Sequence, residues 1–421
     1  MHQLNAFDAA SFLIVLAAAL GYLNHRYLKL PSTVGLTVMG AVASMLVVLY
    51  DRLLPASTLA EQLSGFLREL DFHATLMEGM LSFLLFAGAM HVDWAHMRKG
   101  RWPILVFSTA GVMISTVLVG FAFQALTGLL GISIPLIWCF VFGALISPTD
   151  PVAVMGVMKR AAMPDTLQAT VAGESLFNDG VGVVVFSILL SIALGTEPFT
   201  ISLAASHFAQ EALGGGALGL AAGWIAFRAM HSIDDYNIEV MISLAVVMGG
   251  YSLALALHVS GPVAMAVAGL VIGNHGVTHA MSDVTRDYLI KFWALIDEIL
   301  NAVLFLLIGL EVITLALEGR LVLAGLGAII IVMAARAISV GLPLRAMRRA
   351  IDMGPLAFPT LVWGGLRGGI SVALALSLPE SEIRTALLVS TYAVVLFAVI
   401  IQGGTIGILI ERIKQRHSPT R

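Results

Sequence analysis

The chain has 421 residues, 59% of them apolar and only 12% charged, with a net charge of −3 and a mean hydropathy of +0.95. A water-soluble fold of this size cannot hide that much apolar surface, which excludes a soluble enzyme, a nucleic-acid binder and a disordered scaffold. The single Cys139 excludes an internal disulfide and a cysteine-rich metal cluster.

A spanning helix needs about 20 mostly apolar residues. Thirteen stretches are read as spans, at about 9–23, 30–50, 74–91, 104–129, 133–157, 167–194, 204–227, 238–257, 260–274, 288–315, 322–343, 357–378 and 385–410. Met1 to Asp8 carries no Lys or Arg, so the first stretch reads as a retained helix rather than a cleaved signal. The longest loop, about 51–73, is mildly amphipathic through Leu63, Phe66, Leu67 and Leu70 and is expected to hold a short interfacial helix. No polar linker interrupts the chain, so residues 1–421 are read as one integral membrane domain.

Charge orients the spans. With the C-terminus cytoplasmic and the N-terminus outside, seventeen of the 23 Lys and Arg residues fall on the cytoplasmic side and four (Arg52, Arg68, Arg320 and Arg384) on the other. The positive-inside rule favours that arrangement. Arg336 and Arg367 fall within or near spans, where each needs a carboxylate partner or a water-filled cavity.

Two spans carry backbone that cannot continue a regular helix. The fifth contains Ser147-Pro148-Thr149-Asp150-Pro151, and each proline removes a backbone donor. The twelfth contains Gly364-Gly365-Leu366-Arg367-Gly368-Gly369. The two take the fifth place in spans 1–6 and 8–13, in opposite senses across the membrane. That pattern predicts inverted repeats over about 9–194 and 238–410. Irregular backbone at membrane depth is tolerated only when buried in protein or lining a cavity, so it points to a midplane site in a secondary transporter.

Carboxylates inside spans are functional candidates by default. Asp150 sits on the fifth-span break beside Thr149. Asp179 lies in the sixth span next to Asn178 and shares a helix face with Ser175. Together Thr149, Asp150, Ser175, Asn178 and Asp179 offer only oxygen ligands and an amide, a set suited to a hard cation such as Na+. Glu174 faces away from Asp179 and is expected to pair with Arg336, with Arg367 as the alternative. Glu78, early in the third span, is a further candidate for cation contact. Asp297 and Glu298 are expected to line a cytoplasmic vestibule and Glu311 to be a hydrated head near the outer surface. His73, His91, His96, His258 and His275 are expected to meet water at span ends.

These residues carry a resemblance. Ser147–Val154 (SPTDPVAV), Gly173–Gly180 (GESLFNDG), Ser260–Gly273 (SGPVAMAVAGLVIG), Val303–Glu311 (VLFLLIGLE) and Trp363–Leu376 (WGGLRGGISVALAL) are similar to the monovalent cation/proton antiporter family. The likeness is to its sodium/proton exchanger branch with NhaP-type bacterial members. It implies an all-α polytopic fold with broken, crossing helices (the sodium/proton antiporter fold). It also implies a transport core over about 74–194 and 288–410, with the remaining helices forming a homodimer contact, in a bacterial inner membrane. The aspartate at Asp179 would be the exchange carboxylate, Thr149, Asp150 and Ser175 would help hold Na+, and Glu174 would pair with Arg336. Asn178 beside Asp179 matches the electroneutral members. The expected activity is exchange of Na+, or Li+ or K+, for H+, one for one, by alternating access with both ions competing for Asp179. No cofactor or nucleic acid is expected, and the partners are the two ions, the bilayer and a second copy. A sodium-coupled symporter of a small organic solute is the alternative, since it could share the broken-helix design.

Overall fold

The computed structural model describes residues 6–54, 63–65, 80–195, 200–276, 281–315, 318–347 and 353–417. The described residues form helices joined by turns and irregular connections, with one isolated backbone bridge between Asp150 and Leu366. In chain order the helices are α1 (Ala6–Leu23), α2 (Ser32–Leu53), α3 (Leu81–Met90), α4 (Trp94–Lys99), α5 (Arg101–Leu129), α6 (Leu136–Leu145), α7 (Val152–Arg160), α8 (Asp165–Ala193) and α9 (Ile201–Met230). They continue with α10 (Tyr236–Ala256), α11 (Gly261–Val271), α12 (Asp283–Leu310), α13 (Gly319–Met347), α14 (Ala357–Trp363), α15 (Gly369–Leu376), α16 (Glu382–Leu396) and α17 (Gly403–His417).

Seven described helices are long and apolar enough to cross a membrane: α2, α5, α8, α9, α10, α13 and the continuous α16–α17 rod. α1 starts at Ala6, earlier than the expected span, which gives it 18 residues. The amphipathic loop, Glu78 and His73 lie outside the described residues, except for 51–54 and 63–65 of the loop.

Helix starts follow ordinary capping chemistry. Asp93 caps α4 by accepting from the Ala95 amide at 2.7 Å, and Asp235 caps α10 by accepting from the Asn237 amide at 2.9 Å. Ser260, Ser282 and Ser381 cap α11, α12 and α16. A π-helical turn, Phe107–Gly111, sits inside α5, and another, Phe397–Gln402, joins α16 to α17. Such turns inside long helices often mark functional positions.

Both irregular stretches foreseen in the sequence break their helices. α6 ends at Leu145 and α7 starts at Val152, while α14 ends at Trp363 and α15 starts at Gly369. Three apolar clusters surround these breaks. One joins α5, α6, α12, α13 and α16, a second joins α3, α9, α10, α11 and α12, and a third joins α7, α8, α13, α14 and α17. α2 is keyed to α12 by hydroxyls: Thr37 Oγ1 donates to the Phe305 carbonyl at 3.1 Å and Ser44 Oγ to the Leu310 carbonyl at 2.8 Å. The breaks are thus held from several sides, as irregular backbone at this depth requires.

Candidate functional site

A broken helix frees carbonyls and amides that must find partners when buried. Here most of the partners come from the other break or from a buried arginine. The Asp150 amide donates to the Leu366 carbonyl at 2.9 Å. Arg367 Nη1 donates to the carbonyls of Ser147 and Pro148 at 2.5 and 3.0 Å. Arg336 donates from Nε and Nη2 to the Leu361 carbonyl at 3.1 and 2.9 Å, and Gln402 Nε2 donates to the Trp363 carbonyl at 3.0 Å. The Gln402 donor comes from the π-helical stretch between α16 and α17.

Two glycines allow this close approach. A Cβ on Gly368 would lie 2.4 Å from Asp150 Oδ2, and one on Gly365 would lie 2.5 Å from Arg336 Nε. A side chain at either position would have to displace the Asp150 or Arg336 side chain, which is the physical content of the glycine run around Arg367.

The two arginines take different partners. Arg336 and Glu174 form a bidentate pair, Nη1 to Oε1 and Nη2 to Oε2, with Glu174 1% and Arg336 6% exposed. Arg367, the alternative partner for Glu174, does not serve as one. Its hydrogen bonds go to the two break carbonyls, whose exposed dipoles it satisfies.

The predicted site residues separate into two layers. Thr149, Ser175 and Asn178 form one cluster. The Thr149 amide donates to Asn178 Oδ1 at 3.2 Å, Asn178 Nδ2 donates to Thr149 Oγ1 at 2.8 Å, and the hydroxyls of Thr149 and Ser175 lie 3.0 Å apart. This cluster ties α8 to the first break. Asp150 and Asp179 instead line a cavity of about 720 Å³, which Pro148, Thr149 and Pro151 also line. Asp150 Oδ1 accepts from the Val152 amide at 2.8 Å, satisfying a first-turn donor of α7. Asp179 is 8% exposed, and its carboxylate takes no hydrogen bond among the described residues. Two carboxylates on one partly enclosed cavity attract a cation or a proton strongly, because low-dielectric walls focus their field.

Asp297 and Glu298 line the same cavity. Asn301, not singled out in the sequence, donates to Asp297 Oδ1 at 3.0 Å and fixes that carboxylate. Its position four residues after Asp297 was the available signal. Gln402 and Leu366 were also missed, because their roles depend on contacts between distant segments.

Glu311 is a correction. It is 5% exposed, with Oε1 accepting from Thr314 Oγ1 at 3.2 Å, and is not a hydrated head. The helix turns into a 3-10 stretch at Glu311–Thr314, which tucks the carboxylate in. His91 lines the cavity with Nδ1 2.7 Å from the Ala87 carbonyl, and His96 lies 3.1 Å from Asp93. Among the described residues no group of three or more His, Cys, Asp or Glu could hold a metal ion.

Residues 14–412 match the family model described as "Sodium/hydrogen exchanger, transmembrane". The chain is 47% identical to the Na(+)/H(+) antiporter NhaP of Pseudomonas aeruginosa, over 96% of each chain. It is 32% identical to the Na(+)/H(+) antiporter NhaH of Halobacillus dabanensis, covering 92% of this chain and 93% of that one. The solved structure of the sodium proton antiporter MjNhaP1 from Methanocaldococcus jannaschii superposes with a TM-score of 0.75 at 20% identity, covering 97% of this chain and 98% of that one, a likeness of fold. The broken helices, the buried Glu174–Arg336 pair and these similarities together establish that the chain belongs to the transmembrane sodium/hydrogen exchanger family.

Proposed function

We propose that this protein exchanges a monovalent cation, Na+ first among Na+, Li+ and K+, for H+ across the bacterial inner membrane. The observation that carries the reading is Asp179: a carboxylate on the cavity wall, beside the joined breaks, with no hydrogen bond from the described residues. Such a group binds a proton or a cation, and either neutralises it. The charged form is penalised in crossing a dry barrier, which couples the two fluxes. The names of the antiporters similar to this chain support the ion pair of substrates.

Asp150 and Asp179 supply charge to the cation, and Thr149 and Ser175 supply neutral oxygen. Asn178 locks Thr149 and adds no charge, so one proton is exchanged for one cation. Glu174 and Arg336 have a structural role. Each is buried, and either charge alone would be costly.

With each broken pair and the α16–α17 rod counted as one span and the six-residue α4 left out, our reading has thirteen crossings, with the N-terminus outside and the C-terminus cytoplasmic. The breaks occupy matched places in inverted repeats at about 9–194 and 238–410. The core over 74–194 and 288–410 rocks against the remaining helices, which form the contact of a homodimer.

The test uses purified protein in liposomes with a trapped pH dye, an imposed pH gradient, and Na+, Li+ or K+ added in turn. Cation-dependent dissipation that is lost in Asp179→Asn supports the reading. A folded protein that dissipates the gradient with none of the three refutes it.

A further inference from the structure

We infer that Ser371 is a further ligand for the transported cation, contributed by the second broken helix. The inference rests on the exchange reading above. Ser371 lies in the first turn of α15, directly after the break, and lines the cavity that Asp150 and Asp179 line. It is 1% exposed, and its hydroxyl oxygen has no hydrogen-bond partner among the described residues.

Among the described residues the buried hydroxyls of Thr33, Ser115, Thr360 and Ser390 share that lack, and Thr33 also lines the cavity; Ser371 is the one directly after a helix break. Most serines and threonines of these helices return their hydroxyls to a carbonyl three or four residues earlier: Ser147 to Gly143 at 2.6 Å, Ser377 to Leu374 at 2.8 Å, Thr391 to Leu387 at 2.7 Å. For Ser371 the earlier turn is missing, because Gly368 is extended (φ −124°, ψ −156°) and Arg367 belongs to the break. The break therefore removes the regular turn through which Ser371 could reach such a carbonyl. A buried polar group without a partner costs free energy, and on the wall of a cation cavity the bound ion is the partner that would offset that cost.

The nature of the missing partner follows from the rest of the site. The hydroxyls of Thr149 and Ser175 are already bonded to each other, and Thr149 also accepts from Asn178. These groups and both carboxylates come from one side of the cavity, the α6–α8 side. A hard monovalent cation that sheds its water needs oxygen from several directions. Ser371 supplies a neutral oxygen from the α15 side. Its hydroxyl completes the shell and makes the bound ion a bridge between the two broken helices.

The test measures exchange in proteoliposomes against Na+ concentration at fixed pH for the wild type, Ser371→Ala, Ser371→Cys, Ser371→Thr and Asp179→Asn. The half-saturating Na+ concentration should rise about threefold to tenfold in the Ala and Cys variants, the size expected for one neutral oxygen partner. The maximal rate should fall by less than that. Ser371→Thr, which keeps the oxygen, should stay within about twofold of wild type on the same scale. An unchanged value in Ser371→Ala overturns the inference. So does wild-type affinity in Ser371→Cys, because sulfur restores packing but not a hard ligand. If Ser371→Ala does not purify as a folded protein, the Cys variant carries the test, and failure of both to fold marks a structural residue and overturns the inference. A wild type without cation-dependent exchange, or an active Asp179→Asn, sinks the exchange reading instead, so the two failures are distinguishable.

Discussion

The Asp150 amide donates to the Leu366 carbonyl at 2.9 Å, and this bond joins the two broken helices at their gaps. Arg367, the next residue after Leu366, reaches back to the carbonyls of Ser147 and Pro148. The gaps therefore satisfy one another, and the Asp150 carboxylate is left to face the cavity. Any motion that opens the site to the other side must carry both gaps together or exchange these bonds.

Asp179→Asn is expected to abolish cation-dependent proton movement while leaving the protein folded. The amide is close in size to the carboxylate, and Asp179 makes no hydrogen bond that the change would break. Paired measurements of dye-reported exchange and thermal unfolding check this. Residual exchange above about one hundredth of the wild-type rate, a loss of about 2.7 kcal/mol in barrier terms, would move the exchange role to another carboxylate.

Breaking the Glu174–Arg336 pair should destabilise the protein more than removing it. Glu174→Gln or Arg336→Met alone leaves one buried charge uncompensated, at a cost of about 3–5 kcal/mol. The double variant removes both charges and should unfold closer to wild type than either single variant. Arg336 also donates to the Leu361 carbonyl, so Arg336→Met should be the worse of the two. Thermal unfolding of the detergent-purified set measures both orderings. Additive losses in the double variant would refute the pairing argument.

Gly368→Ala places a methyl against Asp150 Oδ2, well inside van der Waals contact. Something must shift, and the carboxylate is the nearer movable group. We expect cation affinity to fall at least about tenfold, with a smaller change in stability, on the scale of about 1–3 kcal/mol for overpacking. Exchange at saturating and subsaturating Na+ separates the two. Wild-type affinity in a folded Gly368→Ala protein would show that the Asp150 carboxylate does not contact the cation.

Exchange of one proton for one cation moves no net charge. A net charge would couple to the membrane at about 2.3 kcal/mol per 100 mV, enough to shift the equilibrium about fiftyfold. The end point of exchange should therefore be unchanged when a potassium diffusion potential of either sign is imposed on the liposomes. A potential-dependent end point refutes the stoichiometry.

Much of this was legible in the sequence because it rests on local chemistry. Long apolar stretches must cross the bilayer, and prolines at 148 and 151 and the glycine run around Arg367 must break their helices. The candidates Thr149, Asp150, Ser175 and Asp179 stood out because polar groups are costly in lipid. Sequence also placed Glu174 on a face other than that of Asp179. It left two arginines open as partners and misread Glu311 as hydrated.

What only the tertiary structure decided are the contacts between segments far apart in the chain. Arg336 rather than Arg367 meets Glu174, 162 residues away. Asn178 and Ser175 turn to Thr149, whereas Asp179 turns to the cavity. Ser371 lacks a partner on the cavity wall after the second break, a fact visible only when every neighbouring donor and acceptor is placed. Periodicity and residue cost act along one helix and can be read from one sequence. Hydrogen-bond satisfaction is a property of the packed whole, because each buried group must find its partner wherever the fold has brought one.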